Sequence, residues 1–279
     1  MGSFRWHRLN RQILPFASWL GAFTLGAYPV YGQISPLENH TVVIPTDNGQ
    51  IQITGGVSSA DGNNLFHQFE SFSIDPHETA IFVAPETVEN VLGRVSGGEP
   101  SSIEGRLAVS NSANLWLINP AGILFGPSVQ LDLQGDFSAA TATAIGFEQG
   151  WFADGADYPV GSPHSFAFAP ELGQLINLGN LHVETGQTLR LIGGSVVNRG
   201  SLVAPAGTIT VAAVDDSRLR LGQTGQLLTL EIEPWTNDNV PMTSMAPGQL
   251  PVLLTGQGVS SADTLSVLAD GTVHLGQKT

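Results

Sequence analysis

Paired carboxylates are the residues of this chain whose type and spacing could do chemistry, since two such groups can act together as acid, base or nucleophile on a sugar. No pair stands out; the nearest candidates are Asp132 with Asp136 and Asp215 with Asp216. Asp132 lies on the polar side of an alternating apolar pattern and Asp136 at a turn, whereas Asp215 and Asp216 stand beside Arg218. These surroundings favour solvated surface charge. We therefore predict no catalytic residues and no enzyme.

The sequence also gives no support for a metal site, a nucleophilic serine or a nucleotide-binding site. No two histidines of the chain show the i, i+2 or i, i+4 spacing that metal sites use. The seven histidines are His7, His40, His67, His77, His164, His182 and His274. Ser195 follows two glycines but lacks the Gly-x-Ser-x-Gly elbow of a nucleophilic serine. No Gly-x-x-x-x-Gly-Lys motif is present. We predict no metal and no cofactor.

The first 32 residues have the features of a cleaved export signal. Arg5, Arg8 and Arg11 form a basic start, an apolar stretch follows, and Val30-Tyr31-Gly32 offers a cleavage site before Gln33. The alternative is a retained membrane helix, which prolines and glycines within the stretch disfavour. We predict a signal peptide at 1–32 and one domain at 33–279, with its core at about 34–230 and a C-terminal extension at 231–279.

The net charge of the chain limits the kinds of partner that it can bind. The chain has 10 basic and 24 acidic residues and a net charge of −14. Removing the three leader arginines gives 7 − 24 = −17. Such acidity argues against nucleic acid as a partner, because binding requires neutralised phosphates. The absence of cysteine leaves packing and hydrogen bonds to hold an exported domain.

Period-two patterns broken by glycine, asparagine and proline indicate an all-β chain, for example at residues 51–53, 129–133, 189–191 and 209–211. Excursions outside this pattern are predicted at residues 148–171 and 231–251, which are rich in proline. Residues 253–275 return to short apolar pairs and would add one more rung or a loosely held end.

An internal repeat favours a solenoid over the alternative, an antiparallel β-sandwich. The motif Asn-x-Gly-x-Leu begins at Asn177 and again at Asn198, a step of 21 residues, with a looser copy at 103–109. Stacked rungs place equivalent corners above one another and so reuse the same turn residues. We expect Leu181 and Leu202 to stack in one interior column.

The stretch ANLWLINPAGILFG at residues 113–126 places an Asn-Pro-Ala-Gly turn between two apolar runs. Together with residues 61–69, 94–105 and 126–142 it closely resembles the filamentous haemagglutinin N-terminal domain, the TpsA-type domain of two-partner secretion. The resemblance covers roughly residues 34–215. It implies a right-handed single-stranded parallel β-helix with an N-terminal cap and extra-helical β excursions.

Two groups of residues are candidates for recognition. In the turn, Asn119 can close the loop with its side chain, Pro120 fixes φ, and Gly122 can take a positive φ. These three are either a turn that the fold requires or a contact with a transporter.

The second group is Asn64, Leu65 and Phe66, which either form an apolar surface for a partner or help to cap the open first rung.

The resemblance also implies a route and partners: the Sec translocon, the periplasm of a Gram-negative type bacterium, and an Omp85 (TpsB-type) outer-membrane transporter whose POTRA domains bind the extended chain. The product would be secreted or held at the cell surface, with a host or cell-surface ligand as a further partner class. The family's Asn-Pro-Asn-Gly motif appears here with Ala121 in third place, and its Asn-Pro-Asn-Leu motif is not found. The alternatives are a stand-alone surface adhesin or carbohydrate-binding β-helix, and then a polysaccharide-active enzyme.

Overall fold

The computed structural model describes residues 34–155, 158–170 and 172–214, and four strands beyond them at 217–220, 231–234, 264–267 and 273–276. The predicted leader at 1–32 lies outside the described residues. In this part of the chain the regular structure is all β. The strands are β1 (Ile34–Pro36), β2 (Thr41–Pro45), β3 (Gln50–Gly55), β4 (Val57–Ser58), β5 (Asn64–Phe72), β6 (Thr79–Phe82), β7 (Asn90–Val95), β8 (Ser101–Ile103), β9 (Arg106–Val109), β10 (Asn114–Ile118), β11 (Ile123–Phe125), β12 (Gln130–Asp132), β13 (Phe137–Ala140), β14 (Ala144–Phe147), β15 (Gly150–Phe152), β16 (Ser165–Ala167), β17 (Gln174–Asn177), β18 (Asn180–His182), β19 (Thr188–Gly193), β20 (Ser195–Asn198), β21 (Ser201–Val203), β22 (Thr208–Ala213), β23 (Ser217–Arg220), β24 (Glu231–Pro234), β25 (Thr264–Val267) and β26 (Val273–Gly276).

Parallel stacking of non-adjacent strands makes the chain a β-solenoid. The long sheet stacks β5, β7, β10, β13, β19 and β22 in parallel, and a second sheet stacks β8, β11, β17 and β20. A third face contains β3, β6, β9 and β12, followed by the pair β18 and β21. Leu115 pairs with Val91 and Phe137, steps of 24 and 22 residues. The predicted parallel β-helix is confirmed, and the β-sandwich is excluded.

The short repeat marks one corner of this solenoid. Leu181 pairs directly with Leu202, and both side chains are fully buried in the same core. The Asn177 amide donates to the Asn198 side-chain oxygen over 2.7 Å. A Cβ at Gly200 would lie 1.8 Å from the carbonyl oxygen of Gly179, so the stacked corner admits only glycine there. The predicted Leu181–Leu202 column is confirmed.

The N-terminal end is covered by antiparallel strands: β1 and β4 pair with β5, and β2 pairs with β3. Beneath them, the rings of Phe69, Phe72 and Phe82 pack together with centroids 5.1–6.1 Å apart. Aromatic pairs at such separations add to the stabilisation that burial provides. The predicted N-terminal cap is confirmed.

An antiparallel sheet, here called the outer sheet, lies outside the rungs and consists of β15, β14, β16, β23 and β24. It follows β13 directly, so the excursion predicted at 148–171 begins earlier, at Ala144. A second apolar core lies between it and the long sheet, and includes Trp116, Phe152 and Phe166. Parallel strands covered on both faces need apolar residues on both, which explains the unbroken apolar run of β10.

Two predictions for the C-terminal part meet different outcomes. In the region predicted as a second excursion, β24 pairs with β23 at the end of the outer sheet, and the remainder lies outside the described residues. For residues 253–275 a further rung was one of the two predictions. The strands described there, β25 and β26, pair antiparallel with each other and so do not form a rung. Among the described residues, the structure contains no helix of the length and apolarity that crossing a membrane requires.

Candidate functional site

The Asn-Pro-Ala-Gly turn connects β10 to β11 at a corner of the solenoid. The Gly122 N–H donates to the carbonyl oxygen of Asn119 over 3.0 Å, which closes the turn. The side-chain oxygen of Asn119 also accepts the Ala121 N–H over 2.9 Å. Asn119 therefore closes the turn through its side chain, as its residue type predicts.

The same side chain ties the turn to the preceding rung. Its amide nitrogen donates to the Glu99 carbonyl oxygen and to the Ser101 hydroxyl, both over 2.9 Å. The residue is only 1% exposed. All of its polar side-chain atoms are thus satisfied inside the folded domain, as buried polar groups must be.

The next rung covers the turn from the other side. Gly173 donates its N–H to the Pro120 carbonyl oxygen over 2.7 Å. Gly122 has a φ of +127°, and a Cβ there would lie 3.0 Å from the carbonyl oxygen of Gln174. A Cβ at Gly173 would overlap the Ala121 carbonyl oxygen at 2.0 Å. Gly173 is therefore a structural part of this corner that the sequence did not indicate, because only the stacking of rungs brings it against the turn.

The second candidate group is buried rather than presented on a surface. Asn64, Leu65 and Phe66 are 0%, 3% and 1% exposed. Leu65 belongs to the solenoid core and Phe66 to the second core beneath the outer sheet. In the folded domain they offer no exposed apolar surface, so contact with a partner would require the unfolded chain and stays a prediction.

Asn64 begins a ladder of hydrogen-bonded side-chain amides on successive strands of the long sheet. Asn90 donates to the Asn64 side-chain oxygen, and Asn114 donates to that of Asn90, each over 3.0 Å. The Asp136 N–H then donates to the side-chain oxygen of Asn114 over 2.9 Å. The sequence contains a signal for this ladder that was not among the predictions: an asparagine followed by two apolar residues begins each of these strands.

Phe66 and Asn64 also contact β15 and the outer segment that follows it. The Phe66 ring lies 4.8 Å from that of Phe152 and 5.4 Å from that of Tyr158 between centroids. The Asn64 amide donates to the carbonyl oxygens of Pro159 and Gly161 over 3.3 and 2.8 Å. The partner of Asn64 and Phe66 in the folded domain is therefore the chain's own excursion.

The carboxylates considered for catalysis have separate structural partners. Asp132 pairs with Arg106 on the outside of the third face, and Asp136 with Arg190, each over 3.2 Å. The described residues contain no cluster of three or more His, Asp or Glu side chains placed to hold a metal. Asp215 and Asp216 lie outside the described residues.

Among the described residues, His67 has a strongly shifted pKa. His67 is fully buried, its Nδ1 lies 3.1 Å from the Thr41 hydroxyl, and its Nε2 has no hydrogen-bond partner. Burial lowers the pKa of His67 to about 4, because the charged ring would lose its hydration. The ring is therefore a neutral core residue at physiological pH.

Comparison with known proteins agrees with this architecture. A family model described as the TPS secretion domain matches residues 32–275. The HMW1 secretion domain from Haemophilus influenzae shares 21% identity with a TM-score of 0.50, over 68% of this chain and 45% of that one. The filamentous hemagglutinin secretion domain shares 14% identity with a TM-score of 0.52, over 73% of this chain and 68% of that one. A search of curated proteins gave no match.

The family match extends over most of the chain, and the chain belongs to the TPS secretion domain family: it is the secretion domain of a two-partner secretion exoprotein. The two solved structures share its parallel β-solenoid. TPS secretion domains belong to exported proteins, which assigns this chain to the secreted or cell-surface class. The family is one of secretion domains and is not known for enzymes.

Proposed function

We propose that this domain is the export signal that an Omp85-class (TpsB-type) transporter recognises through its periplasmic POTRA domains. The leader at 1–32 would first direct the chain through the Sec translocon of a Gram-negative type cell, and the transporter would then pass it across the outer membrane. The observation that supports the proposal is the family match over residues 32–275 on a parallel β-solenoid.

Recognition takes place before the solenoid closes. In the folded domain Asn119 is 1% exposed and its amide is held by the preceding rung. Asn64, Leu65 and Phe66 are buried as well. A transporter that reads any of these side chains must therefore contact an extended chain.

Folding outside the cell would give export its direction. Each rung buries apolar residues against the rung before it, as Leu202 does against Leu181. This burial is favourable only once both rungs are outside, so every added rung opposes backward movement.

The test is secretion with and without the cognate transporter, which would be sought as an Omp85-class gene encoded near this one. With the transporter, the processed protein should reach the medium or cell surface; without it, the protein should accumulate in the periplasm or be degraded there. Equal secretion in the transporter-null strain would overturn the proposal.

A matched pair of variants separates recognition from stability. Asn119→Ala and Asn177→Ala each remove a buried asparagine that bonds the N–H two residues ahead and a neighbouring rung. If the transporter reads Asn119, Asn119→Ala should reduce secretion several-fold more than Asn177→Ala at equal loss of unfolding free energy. Equal reductions would assign Asn119 to folding alone.

A further inference from the structure

A groove opens between the end of the long sheet's β7 and the outer sheet, with a volume of about 710 Å³. Its walls include Arg94, Thr143, Trp151, Asp154, Phe168 and Pro170. The volume lies within the range of about 300–1,000 Å³ that is usual for small-molecule sites. The lining combines apolar and aromatic side chains with one pair of charges, which is the composition of a binding site.

Arg94 gives the groove a fixed polar centre. The residue is 5% exposed, and its Nε donates to the Thr143 carbonyl oxygen over 3.2 Å. Its Nη1 donates to the Asp154 carboxylate over 2.7 Å. These bonds use two of the five N–H donors of a guanidinium, so the remaining donors can serve a ligand from a rigid position.

Asp154 supplies acceptors and balances the charge. Its side chain is 72% exposed, so its carboxylate also faces solvent while it pairs with Arg94. The pair leaves no net charge at this point of the groove, on a chain whose overall charge is −14. An anionic ligand would have to displace Asp154, whereas a neutral ligand with hydroxyl groups can bond to both partners.

Trp151 supplies an apolar surface beside this pair. It lies opposite Gly146 in the outer sheet, and a Cβ on Gly146 would lie 2.8 Å from the indole ring. The missing side chain at position 146 therefore lets the ring lie against the β14 backbone. A partly exposed indole next to hydrogen-bonding groups suits the apolar C–H face of a pyranose ring.

We propose that this groove binds a neutral saccharide of about two sugar units. The pyranose ring would pack on Trp151, its hydroxyl oxygens would accept hydrogen bonds from Arg94, and its hydroxyl groups would donate to Asp154. This is a binding function separate from export.

The test is isothermal titration calorimetry on the secreted, folded protein with three neutral disaccharides, namely cellobiose, lactose and diacetylchitobiose, and with digalacturonate as the acidic contrast. At least one neutral disaccharide should bind. Trp151→Ala should weaken that binding about tenfold or more, as expected for an aromatic anchor, and Asp154→Asn should weaken it several-fold.

Asp132→Asn is the matched control, because Asp132 also pairs with an arginine but lies away from the groove. It should leave the affinity unchanged. Thermal unfolding by circular dichroism checks that each variant folds, and Asp154→Asn provides the test if Trp151→Ala does not. Absence of binding by all three neutral disaccharides at about 10 mM, a concentration that detects even millimolar affinity, overturns the proposal. Tighter binding of digalacturonate, or equal weakening by Asp132→Asn, also overturns it.

Discussion

The side-chain amide of Asn64 donates a hydrogen bond of 2.8 Å to the carbonyl oxygen of Gly161, which lies 97 residues later in the chain. The bond joins the beginning of the first long-sheet strand to the segment that follows β15. In return, the Gly161 N–H donates to the Asp61 carboxylate over 2.9 Å. The excursion is therefore anchored to the N-terminal part of the solenoid. This anchor can form only after the chain has been synthesised as far as Gly161.

Phe66→Ala should destabilise the domain by about 3–5 kcal/mol, because it removes a buried ring from the core beneath the outer sheet. Urea unfolding followed by circular dichroism measures the change. The control is Val42→Ala, which truncates a side chain that is 46% exposed and should change the free energy by no more than about 0.5 kcal/mol. A Phe66→Ala effect as small as that of the control would contradict the packing described for Phe66.

Asn119→Ala should cost about 3 kcal/mol of unfolding free energy. The sequence indicated one side-chain bond in the turn, but the structure shows three, to Ala121, Glu99 and Ser101. Each such bond contributes about 1 kcal/mol, and unpaired buried groups add to the loss. Equilibrium unfolding of the purified variant provides the value, and a loss below about 1 kcal/mol would show that water replaces these bonds.

Gly122→Val should destabilise the domain more than Gly98→Val does. Both glycines have a positive φ, +127° and +86°, so both substitutions incur backbone strain of about 1–3 kcal/mol. Only at Gly122 does a Cβ meet another rung, 3.0 Å from the Gln174 carbonyl oxygen; at Gly98 nothing lies within 4 Å. Refolding rates and unfolding free energies of the two variants isolate the effect of rung stacking, and equal values would argue against it.

Stability should fall as the pH is lowered from about 6.5 toward 4. Burial lowers the pKa of His67 to about 4 in the folded domain, against an ordinary value of 6.5 in the unfolded chain. Between these values the unfolded chain binds a proton that the folded domain does not, so acid favours unfolding. The full difference corresponds to about 3 kcal/mol.

His67→Leu should flatten this dependence, since it removes the titrating ring while keeping an apolar side chain in the core. Urea unfolding at several pH values between 4.5 and 7.5 compares the two proteins. An unchanged slope would assign the acid sensitivity to carboxylates instead.

Local sequence determined the strand-rich solenoid, because period-two alternation and a repeat of 21 residues depend only on neighbouring positions and on the geometry of stacked corners. It also determined the turn chemistry of Asn119 and the positive φ of Gly122. Only the tertiary structure decided that Phe66 is buried beneath the outer sheet and Asn64 against the segment that follows β15, and that Arg94 and Asp154 meet in a groove. These contacts join residues 60 to 97 positions apart, and their geometry depends on how an excursion folds back, which no local pattern of residues encodes.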